Sequence, residues 1–152
     1  MDKYCFQNCQ KIVIFSENNS KVLLAKRKSE IDYDGTYSFI GGKMEITDKD
    51  LVDGMRREKN EEIGKECRIL LNPIYSTSFY YVKKDGSCMV LPHYYAKFIK
   101  GDIKLNDEYS EYKWININNL DTLEPKIPNI PEFAKRLLKL VPLMKDEEFI
   151  EI

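Results

Sequence analysis

The sequence predicts an α+β domain with layered α/β/α character. Three observations carry that prediction. β-rich runs stand both before and after a single charged helix, and an amphipathic helix closes the order. No repeat, linker or low-complexity segment divides the 152 residues, so one domain is expected over 1–152. That length suffices to bury a real core.

The elements follow in order. KIVIF (11–15) and KVLLAKR (21–27) are β-rich, and the polar turn SENNS between them predicts a hairpin. DYDGTYSFIGGKME (32–45) reads as a loop with a short aromatic strand, closed by a glycine pair. A helix is expected over about Asp48 to Glu62, with Gly64 as its C-terminal stop. CRILL (67–71) reads as a strand ended by Asn72-Pro73. The runs 74–84 and 87–100 flank Asp85-Gly86, a strong hairpin signal, and Pro92 suggests an edge or a bulge in the second. YKWINI (112–117) is a short strand, and PEFAKRLLKL (131–140) is an amphipathic helix with Pro131 in its first turn. Segments 1–9 and 141–152 are expected to be flexible or peripheral ends.

Composition excludes several classes. With 43% apolar and 32% charged residues and a net charge of −1, the chain has no general pull toward nucleic acid or an anionic membrane. No apolar run approaches the roughly 20 residues that span a bilayer, and no signal core is visible, so a cytoplasmic location is expected. The four cysteines, Cys5, Cys9, Cys67 and Cys88, lack the two close pairs of a structural zinc site and read as free thiols.

The chemistry concentrates in REKNEEIG, residues 57–64. At 100° per residue, Val52, Met55 and Ile63 share an arc of about 80° that faces the core, while Glu58, Glu61 and Glu62 share a neighbouring arc of about 100°. Glu58 stands three and four residues before the other two, spacings at which like charges repel. A surface helix built for stability gains nothing from this. Three such carboxylates become favourable around a hard divalent cation, Mg2+ or Mn2+, which prefers oxygen ligands and shares them with phosphates. The glycines Gly41 and Gly42 before the helix allow close backbone approach to a ligand.

GGKMEITDKDLVDGMRREKNEEIGK (41–65) resembles the signature of the Nudix hydrolase family, G-x5-E-x7-R-E-U-x-E-E-x-G-U, where U is bulky and aliphatic. Gly42, Arg57-Glu58, Glu61-Glu62 and Gly64 match. The chain departs from the pattern in four ways. The first glutamate falls at Asp48 if one extra residue precedes Arg57; otherwise Lys49 takes that position and cannot bind a cation. Lys59 and Lys65 stand at the aliphatic positions, and Ile40 stands where proline is common. Lys59 points into the core arc, so its stem is expected to lie along apolar neighbours while its amine escapes. The resemblance extends through KVLLAKR, GTYSFIGGKME, DEYSEYKWININNL and PEFAKRLLKL, roughly residues 10 to 140. It implies the Nudix fold, an α/β/α sandwich with a mixed β-sheet.

What the resemblance implies about function is concrete. Family members use Mg2+ or Mn2+ to hydrolyse a diphosphate linkage in a nucleoside diphosphate joined to another group. Glu58, Glu61 and Glu62 are the expected metal ligands, with the Gly42 carbonyl and Asp48 beside them. Glu58 or Glu62 also orients the attacking water, and Arg57 aims a helix carboxylate. Glu108 or Glu111, before Trp114, is the expected general base, with Glu108 preferred. Arg27 and Lys43 are candidates to grip phosphate, and Glu45 supports the site from its loop. Tyr81 and His93 are candidate substrate contacts. The partner implied is a small nucleotide: a nucleoside triphosphate, a nucleotide sugar or ADP-ribose, or a dinucleoside polyphosphate. A homodimer is compatible with the sequence. The alternative is a non-catalytic nucleotide-binding regulatory module, which loss of the carboxylates would mark; here they are retained. An isoprenoid diphosphate isomerase is a third reading, but neither Cys67 nor Cys88 has a recognisable setting for it.

Overall fold

The computed structural model describes residues 5–152. Within them run β1 (Gln7–Phe15), β2 (Lys21–Arg27), β3 (Tyr37–Ser38), β4 (Ile40–Lys43), α1 (Leu51–Ile63), β5 (Arg68–Val82), β6 (Cys88–Lys100), β7 (Tyr109–Asn116), α2 (Ile130–Leu140) and β8 (Ile150–Glu151). The strands form one sheet in the order β3-β2-β1-β6-β5-β8, with β4 added to β1 and β7 to β2. β1 and β6 are parallel and the other pairs antiparallel, so the sheet is mixed.

Strand alternation builds the sandwich. On β1, Ile12 and Ile14 pack with Met55 and Ile63 of α1, while Val13 and Phe15 pack with Phe133 and Leu137 of α2. On β2, Leu23 and Ala25 face α1, and Val22 and Leu24 face α2. Both faces of the central strands are thus covered, and their side chains read as near-continuous apolar runs. No helix among the described residues is long and apolar enough to cross a membrane.

One departure from a regular sheet positions the site. β1 and β2 pair at Phe15↔Val22, next to their turn, and then splay apart. The segment from Tyr37 to Lys43 fills the fork: β3 pairs with β2 and β4 with β1, from Ile12↔Ile40 to Cys9↔Lys43. That wedge sets Gly41 and Gly42 beside α1. Gly41 has φ +123, and a Cβ there would collide with the Gln10 backbone, so only glycine fits.

Several sequence expectations are corrected. α1 begins at Leu51, because Asp50 caps it by accepting from Asp53 N at 2.8 Å; Asp48 lies before the helix. Asn72-Pro73 does not end a strand. β5 continues through it, bulging between Leu71 and Ser76, with Asn72 Oδ1 accepting from Ile74 N. Pro92 is not at an edge: β6 lies between β1 and β5, and Pro92 is opposite Ser78. The C-terminal segment lies at the sheet's edge but is tied to it: β8 pairs with β5, and Ile152, only 1% exposed, joins the α1-side core. Of the N-terminal end, residues 1–4 lie outside the described residues, while Gln7–Cys9 belong to β1. The cysteines are free.

Candidate active site

A cavity of about 660 Å3 opens at the fork. Glu58 and Glu62 of α1 line it, with Gly41, Gly42, Lys43 and Glu45 from the wedge. Arg27, Asp32, Tyr81, His93 and Glu108 also line it. It therefore gathers most of the residues the sequence singled out. Its volume falls in the range of small-molecule sites, roughly 300–1,000 Å3.

The organising group on its rim is Arg57. Its Nε donates to Asp48 Oδ1 at 2.8 Å and its Nη2 to Asp48 Oδ2 at 3.0 Å. Nη2 also reaches Lys43 O, while Nη1 donates to Glu58 Oε1 at 2.9 Å and Glu61 Oε2 at 3.4 Å. Glu45 joins the same Nη1 at 3.4 Å. Asp48 is thereby committed, and its carboxyl is pulled down to about 2 by Arg57 and by Glu45 N. In this structure it anchors Arg57 through both oxygens. The extra residue before Arg57 is absorbed in this turn, which leaves the later part of the motif in register on α1.

Glu58 lies directly over Gly42, whose missing side chain leaves room for the carboxylate. Burial pushes the Glu58 carboxyl up, opposed by Arg57. Glu62 is deeper. Its Oε2 accepts from Gly41 N at 2.7 Å and from Tyr109 Oη at 3.1 Å. Burial, with a smaller push from Glu108, raises its carboxyl to about 8 against the opposing charge of Lys11 and the Gly41 N–H bond. Glu61 is 54% exposed at its side chain and held only by Arg57. Among the described residues, no three His, Cys, Asp or Glu side chains are close enough together to hold a metal ion as they stand. The expected three-carboxylate cluster is therefore not preassembled, for a physical reason. Without a cation, three neighbouring carboxylates lower their repulsion by sharing a guanidinium and by retaining a proton on the buried one.

The two late acids separate. Glu108 lines the cavity beside Glu62. Glu111 lies outside the lining; Tyr37 Oη donates to it at 3.0 Å, and Lys26 lies 3.7 Å away. Lys26 and Glu111 are direct partners across β2 and β7, so strand register turns this acid away. His93 is buried between Phe39 and Phe133, its Nδ1 donating to Leu91 O at 2.8 Å. Burial pulls its pKa down to about 3, so the ring is neutral. It is an aromatic wall and not an acid or base. Arg27 pairs with Glu30 at 3.3 Å, yet its buried Nε has no partner. Tyr81 stacks on Phe79 and donates to Asp32 Oδ1 at 3.0 Å.

Sequence reasoning missed Lys11, Asp32 and Tyr109. Lys11 is a buried ammonium in the lining, bonded to Gly41 O at 3.2 Å. Its signal was available: in KIVIF it alternates in phase with Val13 and Phe15, so it points inward. Lys59 also departs from expectation. It is fully buried, and its amine does not escape but donates to Cys67 O at 2.7 Å and Gly64 O at 3.3 Å.

A mixed sheet clasped by two helices, with acids of one helix and basic residues of the strands lining one cavity at a fork, suits a site for a cation and a phosphate. The chain belongs to the Nudix family, since the family model for the NUDIX domain matches residues 9–140. Solved structures share the fold. A MutT protein from Methanosarcina mazei Go1 superposes with TM-score 0.70 at 19% identity, over 91% of this chain and 97% of that one. A C. elegans Ap4A hydrolase in a binary complex gives 0.72 at 14% identity, over 91% and 99%. The NUDIX domain of Shewanella oneidensis NrtR, complexed with ADP ribose, gives 0.66 at 19% identity, over 88% and 89%. No curated protein matches the chain.

Proposed function

We propose that the protein is a Mg2+- or Mn2+-dependent hydrolase that cleaves a diphosphate linkage in a nucleotide. The observation that carries this is the mixed lining of the cavity. Glu58, Glu62 and Glu108 share it with the cations Lys11, Arg27 and Lys43. The available oxygen donors (Glu58, Glu61, Glu62 and the Gly42 backbone) suit a hard cation. When bound, such an ion neutralises phosphate charge and acidifies water. The chain's own residues do the rest. Lys11, Arg27 and Lys43 bind phosphate oxygens, Arg57 holds Glu58 and Glu61 in place, and Glu108 accepts the proton of the attacking water. The aromatic side, with Phe79 and Tyr81, gives a nucleobase a surface to stack on. Ap4A hydrolase and the ADP ribose complex, among the structural neighbours, support a substrate of this class.

The test is a hydrolysis panel with Mg2+ or Mn2+ over nucleoside triphosphates, nucleotide sugars, ADP-ribose and dinucleoside polyphosphates. At least one is expected to turn over, and Glu61→Gln is expected to lose activity. An inert panel, or a fully active Glu61→Gln, overturns the reading.

A further inference from the structure

Asp32 occupies a position that the hydrolysis itself does not use. It is 4% exposed, yet it lines the cavity on the aromatic side, far along the chain from the glutamate helix. Its two oxygens differ. Oδ1 is pinned by two donors, Tyr81 Oη at 3.0 Å and Lys84 N at 3.3 Å. Oδ2 is buried and has no hydrogen-bond partner. A buried carboxylate oxygen left unpaired is costly, and in native proteins such an atom calls for an explanation. Around it stand the rings of a stacking surface, with Tyr33 tilted against Tyr81 at 5.8 Å between centroids and Phe79 stacked on Tyr81 at 6.3 Å.

We infer that Asp32 reads the base, accepting a hydrogen bond through Oδ2 from an exocyclic amino group. This rests on the nucleotide reading of the cavity and deepens it. Adenine, cytosine and guanine carry such an amino group. Uracil and thymine present carbonyl oxygens instead, which a buried carboxylate repels. A site built to pair one polar group discriminates strongly against an analogue lacking it, because its own buried atom stays unpaired.

Asp32→Asn gives an outcome that a merely structural residue would not. The oxygen of the new amide is held by Tyr81 and Lys84 N, so its NH2 takes the place of Oδ2. The site then donates where it had accepted, and the preference reverses toward carbonyl-bearing bases.

The experiment is calorimetric binding of AMP, CMP, GMP, UMP, TMP and purine riboside 5′-monophosphate, the last being AMP without its amino group. For the natural protein, the amino-bearing nucleotides are expected to bind about tenfold or more tightly than UMP and TMP, and AMP more tightly than purine riboside monophosphate by a similar factor. In Asp32→Asn, UMP and TMP are expected to gain on AMP. Equal binding of all bases by the natural protein overturns the assignment while leaving the nucleotide cavity intact. Uniform weakening in Asp32→Asn overturns it too. Binding of none overturns the nucleotide reading and this assignment with it.

Discussion

Asp48 and Arg57 meet in a two-pronged ion pair, Nε to Oδ1 at 2.8 Å and Nη2 to Oδ2 at 3.0 Å. The same guanidinium holds Glu58 and Glu61 through Nη1. Asp48 thus acts on the site through Arg57, by fixing the plane of the fork. Asp48→Ala is expected to lower kcat about 10- to 100-fold, the usual cost of losing a partner that orients ligands. Asp48→Glu is expected to recover part of it. The pair itself is insensitive to pH across the working range. A carboxyl pulled down to about 2 contributes stability that is present above its unfolded value of 3.8 and lost only as pH falls toward 2. Steady-state kinetics of the two variants, with a pH profile, check both points.

Lys59 stands at an aliphatic position of the motif, and its amine is tied to two backbone carbonyls. Two effects oppose each other in Lys59→Met. The lost bonds cost about 1–3 kcal/mol, and the removed burden of burying an ammonium is of similar size. The net change in urea unfolding is therefore expected to stay within about 1 kcal/mol, with kcat unchanged. Burial lowers the Lys59 pKa, so the folded state disfavours its charged form. Natural stability should then climb as pH rises toward the unfolded value of 10.5, and Lys59→Met should lose that climb.

What could be read in the sequence was what lies close along the chain. The acids of α1, the glycine pair before it and the Asp85-Gly86 turn each signal through local spacing. Asp32, Lys11 and Tyr109 do not, because the fork brings them together from three separate segments. Glu108 and Glu111 could not be separated by spacing, since the decision lies in the β2–β7 register, which pairs Glu111 with Lys26. The extent of β5 is hidden for a related reason. Asn72-Pro73 carries a strong stop signal, but a bulge and the β6 ladder override it.

The C-terminal strand predicts a cost for truncation. Ile152 N donates to Ile69 O, and Ile69 N donates to Ile152 O, both at 3.0 Å, while the Ile152 side chain is buried in the core. Deleting Ile150–Ile152 removes one fully buried isoleucine and a pair of ladder bonds. The expected loss is about 3–5 kcal/mol, from the cavity left by the side chain and the orphaned backbone groups. Thermal unfolding of the truncated chain measures it.

His93 predicts acid sensitivity. Burial holds its folded pKa at about 3, against 6.5 when unfolded. The unfolded chain therefore binds a proton between these values while the folded one does not. Stability attributable to His93 is complete above pH 6.5 and falls by about 1.4 kcal/mol per unit below it. Its neighbours from the packed elements are Phe39, Phe133 and the Leu91 carbonyl, and Lys11 adds a cation that opposes protonation. His93→Phe keeps the ring and removes the titration. Its unfolding free energy is expected to decline less steeply from pH 6.5 to 4 than that of the natural protein.

Glu62 carries the opposite sign, and it separates stability from activity. Its folded pKa is raised to about 8 from 4.5, so the folded state holds a proton that the unfolded state releases. In the absence of divalent cations, stability attributable to Glu62 is full below pH 4.5 and is lost as pH rises to about 8. By pH 8 that loss amounts to roughly 4 kcal/mol at about 1.4 kcal/mol per unit. Glu62→Gln still accepts from Gly41 N and Tyr109 through its amide oxygen, and it has nothing to titrate. The variant is expected to be more stable than the natural protein at pH 8 without metal, and nearly equal at pH 5. It is also expected to lose most hydrolytic activity, because it gives up a charge that the proposed reaction uses. Denaturant titrations at the two pH values, beside a turnover assay, decide the matter. A variant that is less stable at pH 8 would show that the Glu62 charge is not strained in the fold, and one that keeps full activity would show that the reaction does not need it.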